Sequence, residues 1–161
     1  MELSHLDEHG NARMVDVTEK ANTLRVATAS SIVTMDASTL HLIQVRGLPK
    51  GDVLATARIA GIQGAKRTHE LIPMCHNLPL DAVEIDFTVD EEHSAIHIEA
   101  TAKCVWKTGV EMEAMTAVAI AGLTIYDMVK AVDKHVVISE IRLEKKSGGK
   151  SGEFIRQRKV L

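Results

Sequence analysis

Three sets of side chains in this 161-residue sequence have the types and spacing needed to move protons or bind anions. The first lies near the end of a long apolar segment, where Asp127 and Lys130 are three residues apart. In a helix this spacing places both side chains on one face, where they either transfer a proton or form a surface ion pair of little energetic value. The spacing alone leaves both interpretations open.

The second set lies in residues 71–77, which read LIPMCHN. Pro73 stiffens a turn that carries Met74, Cys75 and His76, and a histidine exchanges a proton near neutral pH. A buried cysteine beside a hydrogen-bonded histidine is the plainer interpretation of the same residues. We expect a shaped loop or a short helical turn here rather than a long regular element.

No metal site is predicted from the histidines and cysteines. Cys75 and His76 are adjacent, and no second CxxC or HxxxH pair supplies the three or four ligands that zinc requires. His93 and His97 are four residues apart, but in a strand this spacing separates them by about 13 Å. That distance is too long for the two rings to share a metal ion.

The third set consists of basic side chains at irregular spacing, which either serve phosphates as mobile point charges or are solvated surface residues. They are Lys50, Lys66, Arg67, Lys103, Lys107, Lys130, Lys146 and Lys150. Lys50 stands at a predicted helix start, beside main-chain N–H groups that favour anions. The tail sequence KSGGKSG is not a Walker phosphate loop, because Glu144 occupies the position of the first glycine.

The composition limits the compartment and the partners of the chain. A net charge of −3 argues against a general nucleic-acid or membrane surface, which needs a strong positive field. Two cysteines do not make a disulfide framework, and the polar, acidic N-terminus is unlike a signal peptide. The uncharged stretch 114–126 is shorter than the roughly 20 residues that span a bilayer. We therefore expect a cytoplasmic protein.

Hydrophobic periodicity and turn residues predict the elements that position these side chains. We predict strands at residues 25–35, 80–89, 93–106 and 136–143, and helices at 37–47, from 50–52 to about 65, and from 108 or 109 to about 132. Residues 1–12 are predicted to be a flexible segment, and residues 145–161 a basic, glycine-rich, mobile tail. The result is a single α+β domain over 1–161, with helices packed on a mainly antiparallel sheet.

Glu113 and Asp127 lie at opposite ends of the longest predicted helix. Their separation in sequence places them within about 40° of one helix face, but about 21 Å apart along the axis. One small pocket in one subunit cannot use both. If both serve one site, either the ligand is long or two subunits supply opposite helix ends.

Four longer segments closely resemble the MoaC family. They read MVDVTEK (14–20), KGDVLATARIAGIQGAKRTHELIPMCHNLPL (50–80), KTGVEMEAMTAVAIAGLTIYDMVKAVDK (107–134) and KSGGKSGEF (146–154). They cover nearly half of the chain, in the order that the family has, and motifs of this length are highly specific. The last residues, IRQRKVL, are not part of the pattern.

The resemblance implies a lyase of molybdenum cofactor biosynthesis with a small-molecule substrate and neither a nucleic-acid nor a membrane partner. Members of the family convert 3′,8-cyclo-7,8-dihydro-GTP to cyclic pyranopterin monophosphate and release pyrophosphate. The resemblance also implies a ferredoxin-like α+β fold and a homohexamer, a trimer of dimers, with sites at the dimer interface. No cofactor is expected to be required, although Mg²⁺ can accompany the triphosphate.

The site residues of the family fall on matching positions of this chain. Its catalytic groups fall on Asp127, Lys50, Lys130 and His76, with Asp127 as the acid or base. Its substrate-binding positions fall on Met74, Cys75, His76, Met112, Glu113, Arg25, Lys146 and Lys150. Which lysine serves phosphate and which serves proton transfer is left open.

Two other functions are compatible with the residues themselves. The first is a non-catalytic module that binds a nucleotide or a pterin for a partner enzyme. The second is a metal-dependent hydrolase that acts on nucleotides through His69, Cys75 and His76. The first predicts that Asp127→Asn functions like wild type, and the second predicts a metal bound after purification.

Overall fold

Five strands and four helices make up the fold in the computed structural model, which describes residues 9–150 and 152–157. In chain order they are β1 (Thr23–Thr34), α1 (Ala37–Gln44), α2 (Val53–Lys66), α3 (Thr68–Leu71), β2 (Ala82–Asp90), β3 (Ala95–Trp106), α4 (Glu111–Val129), β4 (Val137–Ser147) and β5 (Phe154–Ile155). Of the segment predicted to be flexible, 1–12, residues 1–8 lie outside the described part of the chain.

The strands form one sheet in the order β2-β3-β1-β4-β5, and every pairing is antiparallel. Without the short β5 and the small helices α1 and α3, the chain order is β-α-β-β-α-β, which is the ferredoxin-like arrangement. The predicted α+β class is therefore confirmed. The predicted hairpin is also confirmed, because β2 and β3 pair from Ala82↔Lys103 to Asp90↔Ala95.

The core lies between the sheet and the pair of helices α2 and α4. With one Trp, one Tyr and two Phe in the chain, this core is built mainly from Ala, Val, Ile, Leu and Met. Glycines bring the two helices together: a Cβ at Gly61 would lie 2.8 Å from the main-chain oxygen of Ala117, and a Cβ at Gly64 would lie 2.7 Å from Ile120 Cγ1. The small side chains thus let the helices approach more closely than larger ones would allow.

Helix α4 is the central element of the fold. It packs against β1, β3, β4 and α2, and its middle positions from Ala114 to Ile125 include many fully buried side chains. Among the described residues it is the only helix long and apolar enough to cross a membrane. Its apolar surface is instead covered by the sheet and by α2, as in the core helix of a globular fold.

The C-terminal part of the fold differs from the prediction. Strand β4 continues to Ser147 instead of ending at residue 143, and β5 pairs with it through Lys145↔Ile155 and Lys146↔Phe154. The predicted end of this strand at residue 143 was therefore wrong. The charged side chains of this segment are not typical of a strand, so the sequence did not indicate one, although its main chain pairs with β1. Ser151 and residues 158–161 lie outside the described part of the chain.

Candidate functional site

Asp127 lies on the last turn of α4 and is bonded by two lysines, one on each carboxylate oxygen. Lys130 Nζ lies 2.6 Å from Oδ1, and Lys50 Nζ lies 2.9 Å from Oδ2. Lys50 also donates to the main-chain oxygen of Asp127 at 2.7 Å, so it satisfies one of the carbonyls that a helix leaves open at its C-terminal end. All three side chains remain about half exposed.

The two lysines determine the charge state of Asp127. Their hydrogen bonds, first from Lys130 and then from Lys50, lower the pKa of the carboxyl from 3.8 to about 2. The same contact raises the pKa of Lys130. The cluster therefore contains one carboxylate between two ammonium groups at neutral pH, with an excess of positive charge that suits an anion.

Helix α2 begins close to this cluster. The N-cap of α2 is Asp52, whose side chain accepts a bond from the Ala55 main-chain N–H at 3.0 Å. The predicted helix start beside Lys50 is thus confirmed. Asp52, however, already accepts a bond from one of the N–H groups that were expected to favour an external anion. Lys50 extends towards Asp127 on α4 instead.

A second cluster surrounds the other end of α4, where a cavity of about 350 Å³ opens to solvent. It is lined by Val15, Val17, Lys20, Met74, Cys75, His76, Leu78, Thr108, Gly109, Glu111, Met112 and Glu113. Five of the predicted substrate-binding residues, namely Met74, Cys75, His76, Met112 and Glu113, therefore share one cavity. The short helix α3 and the turn after it, closed by a 3.0 Å bond from the Cys75 N–H to the Ile72 oxygen, place the first three there.

His76 and Glu113 are the titratable groups in this cavity that suit proton transfer. His76 Nε2 lies 2.8 Å from the main-chain oxygen of Val15. Since a carbonyl can only accept, Nε2 carries the proton and Nδ1 is left for another partner. Glu113 is 4% exposed, and its burial raises the pKa of the carboxyl to about 7, with a further contribution from the charge of Glu111.

The cysteine in this cavity is a poor nucleophile. Burial, followed by the negative charge of Glu113, raises the pKa of the Cys75 thiol. The same two causes raise the pKa of the buried Cys104 to about 11. Both thiols are free and protonated at neutral pH, so we expect Cys75 to act through its shape and through hydrogen bonding rather than as a thiolate.

A basic cavity adjoins the first one along the start of α4. Its walls carry the cationic residues Lys20, Arg25, Lys107 and Lys150, the acidic residues Asp16, Glu19 and Glu111, and the uncharged residues Ala21, Thr23, Thr108, Gly109 and Gly149. Lys146 reaches the same region, where its Nζ lies 2.8 Å from Glu111 Oε1. The predicted basic residues Arg25, Lys146 and Lys150 thus lie beside the cavity that holds Met112 and Glu113.

The predicted site residues therefore form two clusters within one chain. Asp127, Lys50 and Lys130 form one at the end of α4, and the other predicted residues surround its start. Helix geometry separates Glu113 from Asp127 by about 21 Å along the axis. Sequence reasoning did not select Glu111 and Lys20 as site residues, although both line the two neighbouring cavities. The position of Glu111 two residues before Glu113, on the first turn of α4, was the only signal.

The histidines near the β2–β3 turn are closer together than predicted. His93 precedes β3 and lies in the turn, so its Nδ1 approaches Asp90 Oδ2 at 2.9 Å, while His97 Nε2 lies 3.4 Å from the same oxygen. The 13 Å separation expected for a strand was wrong for the rings. Even so, no three His, Cys, Asp or Glu side chains within 9–150 and 152–157 are arranged to hold a metal ion.

Comparison with known proteins agrees with the resemblance seen in the sequence. A profile of the MoaC family matches residues 14–149. A protein of Heliobacterium modesticaldum named cyclic pyranopterin monophosphate synthase is 56% identical over 155 residues, which cover 96% of this chain and 98% of the relative. Relatives of the same name are 58% identical in Chloroflexus aggregans (97% and 94% covered) and 57% in Bordetella pertussis (94% and 94%). The chain therefore belongs to the MoaC family and is an enzyme of the kind that the names of these relatives describe.

Proposed function

We propose that this enzyme converts 3′,8-cyclo-7,8-dihydro-GTP to cyclic pyranopterin monophosphate and releases pyrophosphate, in the cytoplasm, as a step of molybdenum cofactor biosynthesis. The observation that carries the proposal is the carboxylate of Asp127 held between Lys50 and Lys130. This reaction needs positive charge for a departing pyrophosphate and a proton carrier for ring opening and closing. The cluster supplies both within a few ångströms.

The lysines would bind the triphosphate and stabilise the charge that develops as pyrophosphate leaves. While both lysines are bonded to it, Asp127 is a weak base, because its pKa is held near 2. Phosphate oxygens that attract the ammonium groups of Lys50 and Lys130 would weaken those bonds and raise the pKa of the carboxyl. Substrate binding would thereby make Asp127 a better proton acceptor.

The cavity at the start of α4 would hold the base and its sugar. Met74 and Met112 offer apolar surface, while His76 and Cys75 offer hydrogen-bonding groups at the wall. Glu113, with a pKa near 7, can take up or release a proton at physiological pH. Lys146 and Lys150, beside this cavity, would add positive charge for the triphosphate attached to the sugar.

We propose that a complete site combines the start of α4 from one chain with its end from a partner. The two clusters lie too far apart within a chain to contact one small reacting centre. An isologous dimer would place them side by side twice, and three such dimers would form the homohexamer that the resemblance implies. The proposal requires no resident cofactor, and Mg²⁺ would enter with the triphosphate.

Incubation of the purified enzyme with the cyclised dihydro-GTP tests the reaction, with pyrophosphate and the oxidised pterin as readouts. Asp127→Asn should keep substrate binding and lose about 10²- to 10⁴-fold in turnover, as expected for a positioned acid or base. Stoichiometric binding by the wild type without pyrophosphate release would favour the non-catalytic module instead. Metal analysis of the purified protein distinguishes the hydrolase, which requires a bound ion.

Mixed oligomers test the shared site. Asp127→Asn and His76→Ala change opposite ends of α4, so their mixture should recover part of the activity that each variant lacks. Asp127→Asn mixed with Lys50→Met is the matched control, because these two residues lie in one cluster of one chain. An equal recovery in both mixtures, or none in verified mixed oligomers of the first pair, contradicts a site shared in this way.

A further inference from the structure

Arg25 lies on β1 and is largely buried, on the wall of the basic cavity. The residue is 9% exposed and pairs in register with Cys104 of β3. Its Nε donates to the main-chain oxygen of Trp106 at 3.3 Å, and its Nη2 donates to that of Lys107 at 3.2 Å. The planar fork of the guanidinium therefore binds two consecutive carbonyls at the point where β3 leads towards α4.

The other side of the guanidinium contacts the turn that follows β4. This turn contains Gly148 and Gly149, with φ of +99° and +73°. A Cβ on Gly149 would overlap Nη1 and Cζ of Arg25, and a Cβ on Gly148 would overlap the main-chain oxygen of Leu24. Only glycine permits this approach, both for the positive φ and for the space.

The turn held by Arg25 separates two of the basic residues beside the cavity. Lys146, at the end of β4, is bonded to Glu111, and Lys150 follows the second glycine on the cavity wall. Residues Thr108 and Gly109, next to the carbonyls that Arg25 binds, line the same wall. Arg25 thus connects two walls of the basic cavity: Nε and Nη2 donate to main-chain oxygens on one side, and the guanidinium packs against Gly149 on the other.

We propose that Arg25 is a positioning residue, which holds the Gly148–Gly149 turn so that Lys150 faces the phosphates of the substrate, and that it does not itself bind them. The proposal rests on the proposed function, in which Lys146 and Lys150 add positive charge for the triphosphate. The family resemblance alone implied that Arg25 binds the substrate. Its two carbonyl acceptors and the close glycine contact favour the indirect role.

Two variants disturb the contact from opposite sides. Arg25→Lys keeps the positive charge but loses the fork, and Gly149→Ala keeps every charge but forces the turn away. Gly152→Ala is the matched control, since it has a similar φ of +68° in the same tail and nothing within 4 Å of an added Cβ. The readout that needs no substrate is hydrogen exchange of the tail amides, including the Arg156 N–H, which donates to the Glu144 oxygen at 2.7 Å.

We expect faster tail exchange and a KM for the cyclised dihydro-GTP raised about tenfold in Arg25→Lys and Gly149→Ala, with kcat little changed. Lys150→Ala should raise KM by a similar factor. Adding Arg25→Lys to Lys150→Ala should then change KM less than twofold, because both act through one contact. The control Gly152→Ala has a similar φ strain without the contact to Arg25, so it should leave KM near that of wild type and change tail exchange less than Gly149→Ala does.

Three results overturn the proposal. They are a near-normal KM in Arg25→Lys, a roughly additive loss of about a hundredfold in the double variant, and unchanged tail exchange in both Arg25→Lys and Gly149→Ala. The first would mean that the fork of Arg25 is not needed, and the second that Arg25 acts on the substrate independently of Lys150. If the wild type does not turn the substrate over, the proposed function fails, whereas tail exchange still decides whether Arg25 holds the turn.

Discussion

Replacing Glu113 by glutamine should stabilise the protein at neutral and alkaline pH but not at acidic pH. Burial, with Glu111 nearby, raises the pKa of the Glu113 carboxyl from 4.5 to about 7. Between these two values the folded protein retains the proton that the unfolded chain has released. Folding stability therefore falls as the pH rises from about 4.5 through 7, and the loss is complete above this window.

The size of the effect follows from the same pKa difference. Each unit of pKa corresponds to about 1.4 kcal/mol, so the ionised Glu113 costs about 3 kcal/mol of folding free energy at alkaline pH. Glutamine has nearly the same shape and carries no charge, so Glu113→Gln avoids this cost. Below about pH 4.5 both proteins have a neutral side chain at this position and should be almost equally stable.

Urea unfolding at about pH 4.5, 6 and 8.5, followed by circular dichroism, measures this difference. The protomer concentration must be equal throughout, because association contributes to apparent stability. Glu111→Gln is the control: the charge of Glu111 is a smaller cause of the raised pKa of Glu113 than burial, and Glu111 is bonded to Lys146, so its replacement should stabilise the protein much less than Glu113→Gln at alkaline pH. The reasoning is refuted if Glu113→Gln gives no gain in stability at alkaline pH, or if it gives the same gain at all three pH values.

Three further predictions concern the core and the cluster at the end of α4. Asp133→Ala should lower the free energy of unfolding by about 2–3 kcal/mol, because the main-chain N–H groups of Asp36 and His135 lose a buried charged acceptor. Urea unfolding measures this loss, and a loss within error of zero contradicts the prediction. Gly61→Ala should cost about 1–3 kcal/mol by forcing α2 away from α4, and an unchanged melting midpoint would exclude that contact. Lys50→Met should raise the pKa of Asp127 from about 2 towards 3.8, followed by carboxyl NMR, and a constant pKa would mean that Lys50 contributes nothing.

Patterns among neighbouring residues predicted those helices, strands and contacts that depend on neighbouring residues alone. Alternation in 80–89 and 93–106 predicted the hairpin, and the apolar run after Gly109 predicted α4 to within a few residues. The three-residue spacing of Asp127 and Lys130 predicted a contact on one face, which is confirmed at 2.6 Å. The end of β4 was missed, because the partner that makes residues 144–147 a strand lies more than a hundred residues earlier, in β1.

Contacts between distant segments could not be predicted from spacing. Lys50 and Asp127 are 77 residues apart, and only the packing of α2 against α4 brings the ammonium to the carboxylate. The raised pKa of Glu113 also depends on burial by other elements, which no neighbouring residue in the sequence indicates. His93 shows the opposite error. The distance between the His93 and His97 rings was overestimated, because His93 was assumed to lie in a continuous strand and instead lies in a turn.

The single tryptophan gives the protein a built-in optical probe. Trp106 is the last residue of β3 and is partly buried. Its main-chain oxygen accepts a hydrogen bond from Arg25 beside the basic cavity. Any event that shifts the joint between β3 and α4 changes the surroundings of this one indole, and no second indole dilutes the signal. Emission spectra of the unlabelled enzyme should therefore report the filling of that cavity directly, in titrations that need no attached dye.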